Sequence, residues 1–334
     1  MFRHNTIHTT TTTENPHYHH SISREPQPFS SASTMSSSEP PLIPFGPDST
    51  CTLALCPITD SVYRYRPSLP ANSVFIALYS LLLVAHLYLG HRWKGARWFM
   101  WCMVAGCLDE IVGYAGRVMM WHNPFNFAAF MIQIVCVTTA PVFFCAGIYV
   151  TLARTINAFN PTLSRIQPSL FYKIFIPADI VSLILQGVGG GMSSSSSGRS
   201  QTAIDLALAG LGFQVFTLVV FSALFIDYLA RFARTPAAKS VLDARMKTFL
   251  GFLGLAIVLI LARCAFRVDE LSEGYGGPLV AREGLFIGLE GVLIVLATLA
   301  LCVGHPGFAF GRVERDKDIL SSAESATIVV TEKK

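Results

Sequence analysis

Charge is what this chain has least of. Asp, Glu, Lys and Arg make up 14% of its 334 residues, against the roughly 25% usual in soluble domains. Hydrophobic residues reach 52% and the mean hydropathy is +0.49. The net charge of +4 is small, and no basic patch is interleaved with aromatics, so nucleic acid is excluded as a partner. No G-x-x-x-x-G-K-[ST] exists, which excludes ATP hydrolysis through a P-loop. Gly187-Val188-Gly189-Gly190-Gly191 runs into Met192, which breaks G-x-G-x-x-G, and no strand precedes it. No G-x-S-x-G supports a serine hydrolase. Apart from His86 and His91 near the first apolar stretch, no histidine pair suggests a metal within the apolar segments. The sequence therefore argues against an enzyme, a cofactor and a metal. The last apolar stretch lacks lysine, which excludes a retinal Schiff base there. It also lacks Asn-Pro-x-x-Tyr, and the third stretch lacks the acid-Arg-Tyr signature of rhodopsin-like receptors. No internal repeat supports the inverted-repeat design of many transporters.

What is present is apolar sequence in lengths near the ~20 residues that cross a bilayer as a helix. Seven such stretches run approximately over 71–90, 97–119, 127–152, 171–190, 204–229, 248–268 and 283–303. The fold class is all-α, a polytopic membrane protein with a seven-transmembrane-helix bundle over 61–307. Residues 1–60 are rich in Ser, Thr, Pro and His, including Thr9 to Thr13, His17 to His20 and Ser36 to Ser38. That composition buries too little apolar surface to order itself and predicts a disordered tail. The start of the chain shows no apolar core of a cleaved signal. Residues 308–334 read as a polar cytosolic tail, in which Ser321 and Glu324 form a weak acidic-kinase pattern. Cys51 and Cys56 precede the first span and are either free thiols or, on an oxidising side, a tight disulfide. The other six cysteines lie in apolar runs and read as small hydrophobes.

Loop cations set the orientation. Arg92, Lys94 and Arg97 follow span one, and Arg154, Arg165 and Lys173 follow span three. Arg231, Arg234, Lys239, Arg245 and Lys247 follow span five, and Arg312, Arg315 and Lys317 follow span seven. The opposite side holds only Arg64, Arg66, Arg117, Arg199, Arg267 and Arg282. This predicts the amino terminus outside and the carboxyl terminus in the cytosol.

Polar residues inside the spans fall on helix faces, because positions three, four and seven apart are neighbours. Glu110, Tyr114 and Arg117 form one such row, Asp179, Ser182 and Gln186 a second, and Arg263, Arg267 and Glu270 a third. Glu283 and Glu290 lie in the last span, and Gln214 near the middle of the fifth. Pro141 predicts a kink in span three, and Gly189, Gly190 and Gly191 predict an end to the fourth helix. Most of these groups gather in the outer half of spans two, four, six and seven. Intramembrane ionisable groups often mark a pathway. A sealed cluster of structural ion pairs would use the same residues.

Motifs in order carry a family resemblance. Tyr63-Arg64-Tyr65-Arg66-Pro67-Ser68 with Asn72 opens the series. Glu110-x-x-Gly113-Tyr114-x-x-Arg117 follows, then Pro141 with Ala146 and Tyr149. Asp179-x-x-Ser182-Leu183-x-x-Gln186-x-x-Gly189-Gly190-Gly191 is next, then Arg263-x-x-Phe266-Arg267-x-x-Glu270 with Gly274, Gly277 and Glu283. Over residues 60 to 307, including His305-Pro306, the chain resembles the fungal lipid-translocating exporters. This aminocholesterol-resistance-like family includes a sphingoid long-chain-base exporter. Glu290 departs from it, standing where the family commonly has aspartate. The resemblance implies a fungal plasma-membrane protein that moves amphipathic lipids such as sphingoid bases, or gives resistance to toxic lipophiles as part of a stress response. In that reading a membrane lipid is the ligand, no nucleic acid binds, and any cytosolic partner is unknown. The acids would receive an ammonium head, and the arginines would set their charge or bind phosphate, around an outward-opening cavity with Asp179 at its floor. The alternative is a seven-helix receptor or membrane-stress sensor that uses the same cavity as a ligand pocket.

Overall fold

A computed structural model describes residues 42–195, 200–236, 238–274 and 277–310. The Thr, His and Ser clusters of the amino-terminal tail, Arg199, and residues 311–334 with Ser321 and Glu324 lie outside the described residues. The described chain is helix and turn, without a strand among the described residues. Long helices α1 (Leu69–Arg92), α2 (Arg97–His122), α3 (Phe127–Phe159), α4 (Pro168–Ser195) and α5 (Gln201–Ala233) come first. A short α6 (Ala238–Val241) leads to α7 (Ala244–Ser272). The last long segment is composite: α8 (Glu283–Leu285), a π-helical stretch (Phe286–Val292) and α9 (Leu293–Val303). Each long helix packs on the next in sequence, and α9 returns to α1, closing a ring.

Six of these segments are long and apolar enough to cross a membrane: α1, α3, α4, α5, α7 and the composite Glu283–Phe310. Their outward faces carry exposed Leu81, Tyr88, Phe216, Ile226 and Val258. The ring interior is filled by Tyr79, Met103, Tyr114, Phe144, Tyr149, Phe221 and their neighbours. Apolar residues on both faces suit helices with protein on one side and hydrocarbon on the other. α2 is the long helix outside that set, and it carries Asp109, Glu110 and Arg117.

Sequence and structure part in two places. Residues 42–60, read as part of the tail, are folded. Cys51 and Cys56 are joined in a disulfide and pack with Phe125. Ser49 donates its hydroxyl to the Phe125 carbonyl at 3.1 Å, and Phe45 sets its ring edge-on to Phe127 and Phe130. A polar composition hides the few apolar anchors that hold such a segment. The glycine run does not end α4 either, since the helix continues to Ser195. Gly189 is where α4 meets α5: a Cβ there would lie 2.5 Å from the Ala207 nitrogen and 2.7 Å from the Ala203 carbonyl oxygen. Close backbone approach through small residues is a normal way for membrane helices to pair.

The expected consequence is local. Gly189→Ala overpacks the α4–α5 contact and costs about 1–3 kcal/mol, read as a lower thermal midpoint of the detergent-solubilised protein. Gly187→Ala, with nothing within 4 Å of its Cβ, leaves the midpoint within a degree or so of wild type.

Candidate functional site

Two backbone irregularities meet at the centre. Pro141 has no N–H, so the Val137 carbonyl one turn earlier loses its helical partner. The Arg263 guanidinium on α7 takes it, with Nη2 donating to that oxygen at 2.8 Å. The same nitrogen lies 2.5 Å from Glu290 Oε1, and Glu290 sits in the π-helical stretch, a geometry frequent at functional sites. Gly291 beside it is where α1 packs closely, because a Cβ there would run into the Phe75 ring. Arg263 and Glu290 are both buried. Arg267 extends the network, at 3.8 Å from Glu290 and 2.5 Å from Glu270.

Glu110 lies within the electrostatic reach of Arg263 and Glu290, and Tyr79 and Tyr114 within reach of Glu110. Among the described residues, six buried atoms here have no hydrogen-bond partner: Glu110 Oε2, Glu290 Oε2, Arg263 Nε and Nη1, and the Tyr79 and Tyr114 hydroxyls. Each such group normally costs about 1–3 kcal/mol. They come from α1, α2, α7 and the π-helical stretch, so the set is a shared interior feature.

A second charged node joins the segment before α1 to α2. The buried Arg117 donates Nε to Asn72 Oδ1 at 3.1 Å and Nη2 to the Tyr65 hydroxyl at 3.0 Å. Its guanidinium lies 3.8 Å from the Phe286 ring centroid and 3.9 Å from Glu283. Glu283 also accepts from the Ser68 backbone N–H, placing an acid at the start of α1, where a helix favours one. Tyr63 donates to Gln133 on α3. Burial pushes the Tyr63 and Tyr65 phenols up, against the pull of Arg117.

The third node is nearly uncharged and joins α3, α4 and α5. Buried Asp179 accepts from the Tyr149 hydroxyl at 2.9 Å and from Thr217 at 3.4 Å. Ser182 donates to the Gly210 carbonyl at 2.9 Å. The Gln186 amide donates to Ser182 at 2.8 Å and to Gln214 at 3.0 Å. The row Asp179, Ser182, Gln186 is thus one face, closed on α5. The acids and arginines of the other spans form their own two nodes.

A cleft of about 120 Å³ opens between α3, α4, α5 and α7. Thr138, Thr139, Gln186 and Arg267 give its polar lining, and Phe130, Ile134, Leu183 and Leu271 its apolar one. Gly190 and Gly191 border it, so they line space while Gly189 makes contact. A smaller hollow of about 20 Å³ shares Phe130, Ile134, Arg267 and Leu271 and adds Tyr63 and Glu270. Asp179 does not line the cleft. Among the described residues, no group of three His, Cys, Asp or Glu could hold a metal.

Sequence spacing missed several partners. Thr217, three residues after Gln214, shares its face of α5 and was the most accessible of them. Tyr63, Tyr65, Asn72 and Tyr149 stand in the recognised motifs but carry no charge that would flag them. The Val137 carbonyl is backbone, legible only through Pro141.

Fold and site together define a helical integral membrane protein with an ionic interior. Residues 103–313 match the family described as RTA1 like protein, and the chain belongs to that family. Over 280 residues it is 31% identical to the sphingoid long-chain base transporter RSB1 of Saccharomyces cerevisiae (strain Lalvin EC1118), covering 73% of each chain. It is 31% identical over 204 residues to Protein RTM1 of Saccharomyces cerevisiae, covering 60% of this chain and 64% of that one. It is 30% identical over 204 residues to protoporphyrin uptake protein 1 of the same species, covering 60% and 66%. No solved structure gives a significant match.

Arg263 and Glu290 are expected to depend on each other. Arg263→Met or Glu290→Met alone leaves a buried charge and costs about 3–5 kcal/mol. The double substitution restores much of that, and a double-mutant cycle on thermal midpoints measures the coupling.

Proposed function

We propose that this chain is a lipid transporter of the plasma membrane, not an enzyme, which moves amphiphiles such as sphingoid long-chain bases across the bilayer. In this reading α2 is the seventh span, its charged groups turned to the ring interior. The amino terminus lies outside, as the loop cations favour and as a disulfide at Cys51–Cys56 suits. The observation that carries the reading is the two-sided cleft, which sets Arg267, Gln186, Thr138 and Thr139 against apolar walls. An amphiphile matches such a lining. At about 120 Å³ the cleft is smaller than the about 300–1,000 Å³ of sites that enclose a drug-sized ligand. It takes a head group and leaves the chain along apolar helix faces.

Charge assigns the roles. An ammonium head approaches Glu270 and Arg267, at the hollow next to the cleft, and exchanges with the arginine for the acid. Deeper acceptors are Glu290 and Glu110, whose unpartnered oxygens point to polar groups the fold itself does not satisfy. Arg263, bonded to both Glu290 and the Val137 carbonyl, ties α3, α7 and the π-helical stretch together. Asp179, with Tyr149 and Thr217, sets the α3–α4–α5 wall of the path. Arg117, Tyr114 and Glu283 hold the outer end of α1 and α2 in place. Gln214 and Ser182 orient the Gln186 amide at the cleft. A receptor or stress sensor with this cavity as its ligand site is the second reading, and reconstitution separates the two.

Two outcomes are expected. In proteoliposomes of the purified chain, a fluorescent sphingoid base moves between leaflets, and Glu110→Ala or Glu270→Ala lowers the rate about tenfold or more, the loss of one charge-assisted contact. Unchanged rates in normally folded variants would sink the assignment. In intact cells an epitope at the amino terminus binds antibody without permeabilisation and one at the carboxyl terminus does not; the reverse result overturns the orientation.

A further inference from the structure

At the opposite end of the ring from Glu270 lies a larger cleft that the transport reading does not use. It measures about 240 Å³ and is lined by Gly95, Trp98, Phe99, Thr151, Arg154 and Phe310 among others. Its floor is apolar, with Phe99 buried. At its mouth Trp98 is half exposed and Arg154 is exposed. Arg154 Nη1 donates to the Gly95 carbonyl at 2.6 Å, which fixes the guanidinium on the turn between α1 and α2. A guanidinium has five N–H donors, and among the described residues this is the one hydrogen bond Arg154 makes. Arg92, Lys94 and Arg97 on the same turn are exposed as well.

Among the described residues, no ion pair joins these cations to an acid. The chain holds no Asp or Glu from 61 to 108 and none from 127 to 178, which together contain α1, the start of α2 and all of α3. Helices α1 and α3 and the start of α2 therefore bring no acid of their own to the cationic rim. Apolar floor, exposed tryptophan and exposed arginine are what an anionic lipid at the bilayer surface meets well. Trp sits at head-group level, a guanidinium pairs with phosphate oxygens, and basic pockets between membrane helices take anionic head groups.

We propose that this cleft is a binding site for an anionic phospholipid, with its phosphate on Arg154 and an acyl chain along Phe99, Val150 and Phe310. The site is separate from the transport path and stands whether or not this chain moves sphingoid bases. A soluble phosphate has no use for the apolar floor.

The full chain in detergent is titrated with phosphatidylserine or phosphatidylcholine, and its thermal midpoint and bound lipid by native mass spectrometry are recorded. Phosphatidylserine is expected to raise the midpoint and stay bound, phosphatidylcholine to do so far less, and inorganic phosphate not at all. Arg154→Gln weakens the phosphatidylserine response about tenfold, as the loss of a charge-assisted contact does, while Arg154→Lys keeps part of it. Arg154 also holds Gly95, so Trp98→Ala, which leaves that bond in place, decides the matter if Arg154→Gln does not fold. Equal binding of phosphatidylserine by wild type and these variants overturns the site. An equal shift from inorganic phosphate overturns the lipid as its ligand.

Discussion

The rest of the structure turns on one guanidinium. Arg263 is buried at the middle of the ring, and a buried charge survives only where it is answered. It is answered twice from one nitrogen, by Glu290 and by the Val137 carbonyl. The first answer needs an acid brought inward by the π-helical stretch, and the second a carbonyl released by Pro141. Remove the proline and the carbonyl returns to its helix. Straighten the π-helical stretch and Glu290 turns to another face. Two departures from ideal helix are thus tied to one ion pair.

That coupling explains why irregular backbone is found at membrane depth in this chain. Unpaired peptide groups are costly in hydrocarbon and are tolerated where they are buried in protein or line a cavity. Here they are buried, and they sit beside polar atoms of Glu110, Tyr79 and Tyr114 that have no partner among the described residues. The Arg117 and Asp179 nodes differ in kind. The Asp179 node is closed by neutral hydroxyls and amides, and the Arg117 node by Asn72, Tyr65 and the acid Glu283, so each resembles a clamp between helices. The polar interior is therefore unequal: satisfied at the Asp179 wall, strained in its bonding around Arg263.

Much of this was legible beforehand, and particular residues show why. The helices were readable because apolar runs near span length have one stable solution in a bilayer. The rows Glu110-Tyr114-Arg117 and Asp179-Ser182-Gln186 were readable because helical spacing puts them on one face. What spacing does not say is which face meets which. Asp179 invites an arginine and takes a tyrosine and a threonine. Glu283 reaches back to Ser68 across most of the chain. The glycine run looked like a helix stop because glycine is permissive, yet Gly189 serves contact and its neighbours serve space.

By itself the sequence determined the all-helical membrane class, the long segments and the inventory of intramembrane charge. These follow from composition and from the 3.6-residue period, which are local properties. Only the tertiary structure decided the partners: Glu290 for Arg263, Tyr149 for Asp179, the cleft for Gly190 and Gly191, and a folded place for residues 42–60. Pairing is set by how neighbouring helices are rotated and how closely they approach. Those depend on small residues, a proline and a π-helical turn acting together across the ring, so no stretch of sequence contains them.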